Sequence, residues 1–424
     1  MGRGRGNALT RITESAASPS ESGATATRAR LVAALQSVPL QTFLWSRLAI
    51  WAGALFVWFE FDPHLGNYAS RLDVPRLTHD LGPVTDVWAR WDSVPYLQIA
   101  EHGYGGEKGS PAFYPLYPWL VGGLGRVLGG HYVLAGILVS LIATLAAFLL
   151  LYRLAAAHFD ESTAARAVVY LAVFPAALFL QAVYAESLFL ALALGAFVCA
   201  ERGRWPAVGV LAGLALLTRP TAVALAPPLL LLAWRSGSRL RAFGSLLIAP
   251  VLFLPFPIVL HEQLGSATAF FHAERFWHRE VSPFGPLFGV WRALKAAWAA
   301  VLQLTVGSSQ HWYWTPVNPA RTAVLNLEYL LYLVVFCVLA VVAWRRLGAA
   351  YGLFAATSLA IPLTAPSDLY PLLSFPRLGL TIFPLFIALA TLTRRERLHV
   401  AVVGVSASFL GLAVAGWTTW QWVS

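Results

Sequence analysis

The sequence predicts an all-α polytopic membrane protein of about eleven transmembrane helices, and three observations carry that expectation. First, 58% of its 424 residues are hydrophobic and only 12% are charged, whereas soluble domains run near 45–50% apolar and about 25% charged. So apolar a chain cannot coat a water-facing surface, and its excess must meet lipid. Second, long apolar runs recur from residue 41 to residue 417. Third, most arginines fall in short clusters between those runs, where topology determinants sit.

The net charge of +10 therefore belongs to loops and does not argue for a nucleic-acid groove. Cys199 and Cys337 lie inside apolar runs with no CxxC neighbour, so neither a disulfide framework nor a metal knuckle is suggested. Residues 1–37 are rich in Ser, Ala, Thr and Arg and read as a disordered cytoplasmic tail. The charged stretch is too long before any apolar region for a cleaved signal peptide. Arg3 to Arg30 keep this end inside.

The runs cover 41–59, 131–151, 164–182, 187–200, 206–218, 222–234, 242–260, 323–343, 349–363, 378–392 and 398–417. An apolar core of ~30 Å takes about 20 helical residues, so the runs between 187 and 234 are the weakest. If each run crosses once, Arg153, Arg202 with Arg204, Arg235 with Arg239 and Arg241, Arg345 with Arg346, and Arg394 with Arg395 and Arg397 all fall on the N-terminal side. That uniformity fixes the parity, makes Thr218-Arg219-Pro220 an outer turn, and leaves the C-terminus outside. The same parity demotes Phe113–Leu128 to a helix lying on or dipping into the outer leaflet, with Tyr114, Tyr117 and Trp119 as interfacial anchors. Arg47, near the inner end of its helix, is expected to snorkel inward.

Residues 38–424 then form a single transmembrane domain with long outer loops at 60–130 and 261–322, and a shorter outer segment from Thr364 to Arg377. The second loop carries Trp277, Trp291, Trp298, Trp312 and Trp314; Trp-rich loops of this length are usually functional. No internal repeat is evident, which weighs against a secondary transporter.

The densest polar cluster runs from Arg90 to Tyr104. If residues 96–102 are helical, Gln98, Glu101 and His102 share a face, with Asp92 at the start. Spacing alone reads Asp92 more readily as a surface helix cap than as a reacting acid. Glu186, at the outer tip of an apolar hairpin, is either a site residue or an interfacial carboxylate in water. Arg219 and Arg377 lie beside prolines at outer helix ends, placed to hold a lipid phosphate or to snorkel. His272, Glu274, Arg275, Trp277, His278, Arg279 and Glu280 open the second loop without a metal-ligand spacing such as HExxH. A divalent metal is therefore not favoured, and no cofactor is expected.

Arg90-Trp91-Asp92-Ser93 with Ile99-Ala100-Glu101-His102-Gly103-Tyr104 resembles the first outer loop of the PIG-V mannosyltransferases, within the GT-C group of membrane glycosyltransferases. The resemblance continues through Phe113-Tyr114-Pro115, Tyr184-Ala185-Glu186-Ser187-Leu188-Phe189, Leu217-Thr218-Arg219-Pro220, and Pro376-Arg377 to Phe383-Pro384-Leu385-Phe386. It covers roughly residues 40–395. Eukaryotic members tend to carry Arg-Ser-Asn-Gly where this chain has Arg219-Pro220-Thr221-Ala222.

The resemblance implies a GT-C-like fold in a bacterial relative, and an inverting glycosyltransferase. It would move mannose from polyprenyl-phosphate mannose to an unidentified glycan, lipid or protein hydroxyl at the outer face of the cell membrane. Asp92 is then the catalytic base and Glu186 the positioning acid. Arg377 becomes the phosphate clamp, with Trp91, Glu101, His102, Tyr184, Arg219 and Trp277 as further substrate-binding residues. A flippase for a lipid-linked sugar and a non-catalytic subunit of the same fold are the competing readings. Nucleic acid is not an expected partner.

Overall fold

The computed structural model describes residues 37–64, 72–105, 109–307, 318–368 and 370–423. The tail expected over 1–37, Ser37 excepted, lies outside the described residues, as do Trp312 and Trp314. The principal helices are α1 (Val38–Glu60), α2 (Ser93–His102), α3 (Leu116–Val127), α4 (Tyr132–His158), α5 (Glu161–Val173), α6 (Glu186–Glu201), α7 (Trp205–Leu216) and α8 (Ala226–Arg235). They continue as α9 (Arg239–Leu264, in three pieces), α10 (Ala269–Phe276), α11 (Pro286–Thr305), α12 (Pro319–Arg346), α13 (Ala349–Thr364), α14 (Phe375–Leu380), α15 (Phe383–Leu392) and α16 (Glu396–Thr418). Among the described residues the strand-like pairing is a lone antiparallel bridge between Arg279 and Ser367.

The chain is an all-α polytopic membrane protein. Five helices, α1, α4, α9, α12 and α16, are long and apolar enough to cross a membrane, and shorter apolar helices fill Trp205–Leu216, Pro220–Arg235, Ala349–Thr364 and Phe383–Leu392. Each of the eleven apolar runs is at least partly helical; the run at 378–392 holds the end of α14 and all of α15, and the run at 242–260 falls on the three pieces of α9. Thr218 and Arg219 do separate two of them, because Pro220 has no N–H to continue the helix before it and opens a 3₁₀ turn instead.

The run at 164–182 behaves differently. Its helix stops at Val173, two residues before Pro175, and residues 174–185 continue as irregular backbone around one 3₁₀ turn. Almost all of that segment is buried. Irregular backbone at membrane depth is tolerated only where protein satisfies its polar groups, and here side-chain bonds from other helices do so. Arg47 donates to the carbonyls of Ala172 (3.1 Å) and Ala177 (2.9 Å); Thr144 donates to Leu180 and Ser140 to Ala182 at 2.8 Å. Arg47 is thus not the inward-snorkelling residue expected from its position. It is 4% exposed and holds the broken segment that carries Tyr184 and Glu186.

One face of helix α3 packs into the protein, while Trp119, Leu120 and Val127 on the other face stay exposed. Tyr117 is fully buried, with its hydroxyl on Gly136 O (3.0 Å) and Ser140 Oγ (2.9 Å). Tyr114 is buried as well, and of the three expected anchors only Trp119 is exposed. The approach of α2 explains Gly122, where a Cβ would sit 2.5 Å from Ala100 O. The stretch read as an outer loop over 261–322 contains two helices, α10 and α11. Helix α11 turns Ala293, Ala296, Ala297 and Ala300 inward and exposes Trp291 and Trp298; small residues permit close helix approach.

At the end of the bundle opposite Asp92, arginines do more than set topology. Arg346 donates to Thr391 O (3.0 Å) and Arg166 to Thr393 O (2.8 Å). Both therefore satisfy orphan carbonyls and the negative end of the dipole of the ten-residue α15.

Candidate active site

Asp92 opens α2, but its side chain makes no capping hydrogen bond. The surface-cap alternative therefore fails on geometry. Oδ2 of Asp92 instead accepts from Nη1 of Arg377 at 2.5 Å, across 285 residues of sequence. The turn leading into it is unusual, because Trp91 has φ +53°, a region few non-glycine residues enter. Several bonds hold that turn. Asp92 N–H donates to the Tyr184 hydroxyl (3.0 Å), which itself donates to Arg90 O (3.2 Å). Val183 N–H donates to Trp88 O (3.1 Å) and Trp417 Nε1 to Val87 O (2.7 Å).

Glu186 begins α6 and is 1% exposed, so it is not the water-solvated interfacial acid that the sequence left open. Its Oε1 pairs with Arg219 Nη1 and lies 3.3 Å from Arg377 Nε. Both contacts are ion pairs without hydrogen-bond geometry, and Oε2 has no hydrogen-bond partner.

Arg377 sits on α14 and links both acids. Its guanidinium carbon lies 5.3 Å from the Tyr184 ring centroid and 5.5 Å from that of Phe179. Burial acts to lower its pKa, but Asp92 and Glu186 outweigh it and hold the group above its ordinary value. Two carboxylates and two guanidiniums thus form a self-neutralised, mostly buried quartet. Burial raises the Tyr184 phenol well above its usual value, with Asp92 adding to the effect, so the hydroxyl keeps the proton it donates.

The remaining expected residues divide. Trp91 stays beside the quartet, edge-on to Trp420 (6.0 Å) and Trp422 (5.2 Å). Trp277 bridges loops, with Nε1 on Gly109 O (3.2 Å) and its ring 5.5 Å from Phe113. Glu101 and His102 face each other at 3.8 Å at the far end of α2, about 13 Å along the helix from Asp92 at 1.5 Å per residue. The structure does not bring them to the quartet.

Two residues of the second loop were visible only as members of a polar cluster. Glu274 is half-buried, and its pKa is raised by burial against the opposing pull of Arg279 and Arg219. Arg279, whose pKa burial lowers while Glu274 opposes, donates to Leu373 O (2.8 Å) and Ala365 O (3.3 Å). It therefore ties the second loop to the segment that carries Arg377. No spacing rule marks either residue, since their roles depend on contacts across some 90 positions. Among the described residues no three His, Cys, Asp or Glu side chains gather into a metal-holding group.

Comparison with solved structures gives the Archaeoglobus fulgidus oligosaccharyltransferase tethered to an acceptor peptide, at 13% identity and TM-score 0.44 over 89% of this chain and 55% of that one. The same archaeal enzyme, AglB, with an inhibitory peptide and dolichol-phosphate gives 14% identity and TM-score 0.43 over 89% and 56%. ArnT from Cupriavidus metallidurans bound to undecaprenyl phosphate gives 17% and 0.35 over 87% and 78%. The chain spans about half the length of the archaeal enzyme. No curated protein matches the sequence. Residues 110–261, which include Glu186 and Arg219, match the family described as dolichyl-phosphate-mannose-protein mannosyltransferase.

Proposed function

We propose that the chain is an inverting membrane glycosyltransferase of the GT-C group, transferring mannose from polyprenyl-phosphate mannose to an acceptor hydroxyl at the outer face of a bacterial membrane. The observation that carries this reading is the buried contact of Asp92 and Glu186 with Arg377 and Arg219, supported by the family match over residues 110–261 and by the PIG-V-like motifs.

The chemistry follows from the leaving group. A glycosidase needs two carboxylates because an alkoxide must be protonated as it departs. A polyprenyl phosphate leaves as a stable anion and needs no proton, so one base suffices. Asp92 takes the proton of the acceptor hydroxyl, the hydroxyl oxygen bonds to the anomeric carbon, and the bond from that carbon to the phosphate oxygen breaks with inversion. Arg377, with Arg219 behind it, neutralises the charge that develops on the phosphate. Glu186 sets the spacing of the two guanidiniums and positions the acceptor side. Trp91 and Trp277 frame the sugar, and Glu101 and His102 serve the more distant part of a long acceptor. No cofactor enters these steps.

Purified protein incubated with radiolabelled polyprenyl-phosphate mannose and a membrane acceptor fraction tests the reading. Label transferred to acceptor without a second protein supports it. Translocation of intact donor without cleavage would favour a flippase.

A further inference from the structure

We propose that Tyr184 is a positioning residue that sets the Asp92 carboxylate through the backbone of its turn, and is not a ligand of the sugar donor. The inference rests on the glycosyltransferase reading, in which Asp92 is the base. It departs from the substrate-binding role that the motif around Tyr184 implies.

The hydroxyl of Tyr184 spends both of its hydrogen-bonding capacities on one turn. It accepts from Asp92 N–H at 3.0 Å and donates to Arg90 O at 3.2 Å. Between those two groups lies Trp91, with φ +53°. A backbone in that region is retained only where its surroundings over-determine it, and the phenol closes the turn from the side opposite the helix. Asp92 N–H is also one of the donors that a helix start leaves without an intrahelical acceptor. With the residue 1% exposed, the hydroxyl is out of reach of any substrate.

The ring makes a second contact. Arg377 lies over it at 5.3 Å, and the Arg377 guanidinium also lies 5.5 Å from Phe179. Tyr184 therefore touches both members of the Asp92–Arg377 pair: the acid through its hydroxyl, the arginine through its face. Phe179 packs against Tyr184 at 4.9 Å and supports the arginine alone. Trp417, at 5.6 Å from Tyr184, holds the ring from behind.

This division gives two variants with opposite signatures. Tyr184→Phe keeps the ring under Arg377 but leaves the turn unfastened, and a displacement of the order of 1 Å in a reacting group can cost about 100-fold in rate. Phe179→Leu removes one face under Arg377 and keeps the Tyr184 hydroxyl that bonds the turn. Each protein is titrated with undecaprenyl phosphate, which counts intact sites and reports phosphate affinity. Turnover is followed as polyprenyl phosphate released from polyprenyl-phosphate mannose in the presence of a membrane acceptor fraction.

For Tyr184→Phe we expect full binding stoichiometry, a Kd within twofold of wild type, and kcat reduced about 10–100-fold. For Phe179→Leu we expect a raised Kd with kcat largely retained. A Tyr184→Phe protein with wild-type kcat overturns the inference, as does one whose stoichiometry falls in step with its rate, since that marks a merely structural role. A Kd that rises with unchanged kcat would return Tyr184 to the donor site. Absence of turnover in the wild type would be a different failure, that of the glycosyltransferase reading.

Discussion

Nη1 of Arg377 and Oδ2 of Asp92 stand 2.5 Å apart, so the group read as the phosphate clamp is paired with the group read as the base. On the proposed reading, a donor phosphate displaces the carboxylate to take the guanidinium and in doing so frees the base. The acceptor hydroxyl then meets an unmasked carboxylate only when a donor is in place. Asp92→Asn should therefore bind undecaprenyl phosphate more tightly than wild type. A charge-assisted hydrogen bond is worth about 1.5–3 kcal/mol, and part of it is retained by the amide, so a gain of about tenfold is expected by calorimetric titration. Equal or weaker binding would show that Asp92 does not compete for Arg377.

Arg377→Lys should not restore what Arg377→Ala loses. The guanidinium reaches Asp92 through Nη1, approaches Glu186 through Nε and lies across two aromatic rings. A lysine offers a point charge with none of that planar geometry. Phosphate affinity should fall about 10–100-fold in both variants, read as a raised Kd for undecaprenyl phosphate. A lysine variant with wild-type affinity would reduce Arg377 to a generic positive charge.

Much of the fold was legible because the signals were one-dimensional. Apolar runs located the five helices among the described residues that are long and apolar enough to cross a membrane, and Thr218-Arg219-Pro220 marked a real break. The run at 164–182 misled because hydropathy does not register that Pro175 stops the helix while Arg47, Ser140 and Thr144 satisfy the backbone beyond it. Arg47 itself was misread for the same reason: its acceptors lie some 125–130 residues away. In the site, the motif residues Asp92, Glu186, Arg219 and Arg377 converge, whereas Glu101 and His102 pair with each other at the far end of the helix that Asp92 opens. Tyr184 was singled out by its motif, but only the geometry shows that its hydroxyl faces the Asp92 turn.

The Glu186–Arg219 pair should be needed for stability as a pair. Glu186 is 1% exposed and the Arg219 side chain 9%. Removing one partner of a buried ion pair typically costs about 3–5 kcal/mol, whereas replacing both by apolar residues of similar size is often near neutral. Glu186→Met or Arg219→Met alone should lower the thermal midpoint in detergent, and the double variant should recover most of the loss. Additive losses would mean that the two side chains do not act together.

Glu274 offers a pH-dependent test. Burial, the largest influence on it, holds its carboxyl pKa above the ordinary range of a glutamate. The folded state therefore holds the proton more tightly than the unfolded state, and stability falls as pH rises from the unfolded pKa through the folded one. Glu274→Gln removes that penalty. The variant should match wild type near pH 4 and melt at a higher temperature at pH 8. A lower midpoint at pH 8 would show that the Arg279 and Arg219 charges outweigh burial.

The central claim is that Asp92 removes the acceptor proton in a sugar transfer from a lipid phosphate. Its most direct test is turnover of radiolabelled polyprenyl-phosphate mannose by purified wild type and Asp92→Asn at equal, binding-verified concentrations of intact sites. Wild type should transfer the sugar with inverted configuration, and the variant should bind donor yet transfer at least about 1,000-fold more slowly, the upper part of the range that general base catalysis and charge removal together supply. Transfer by Asp92→Asn at the wild-type rate would contradict the account.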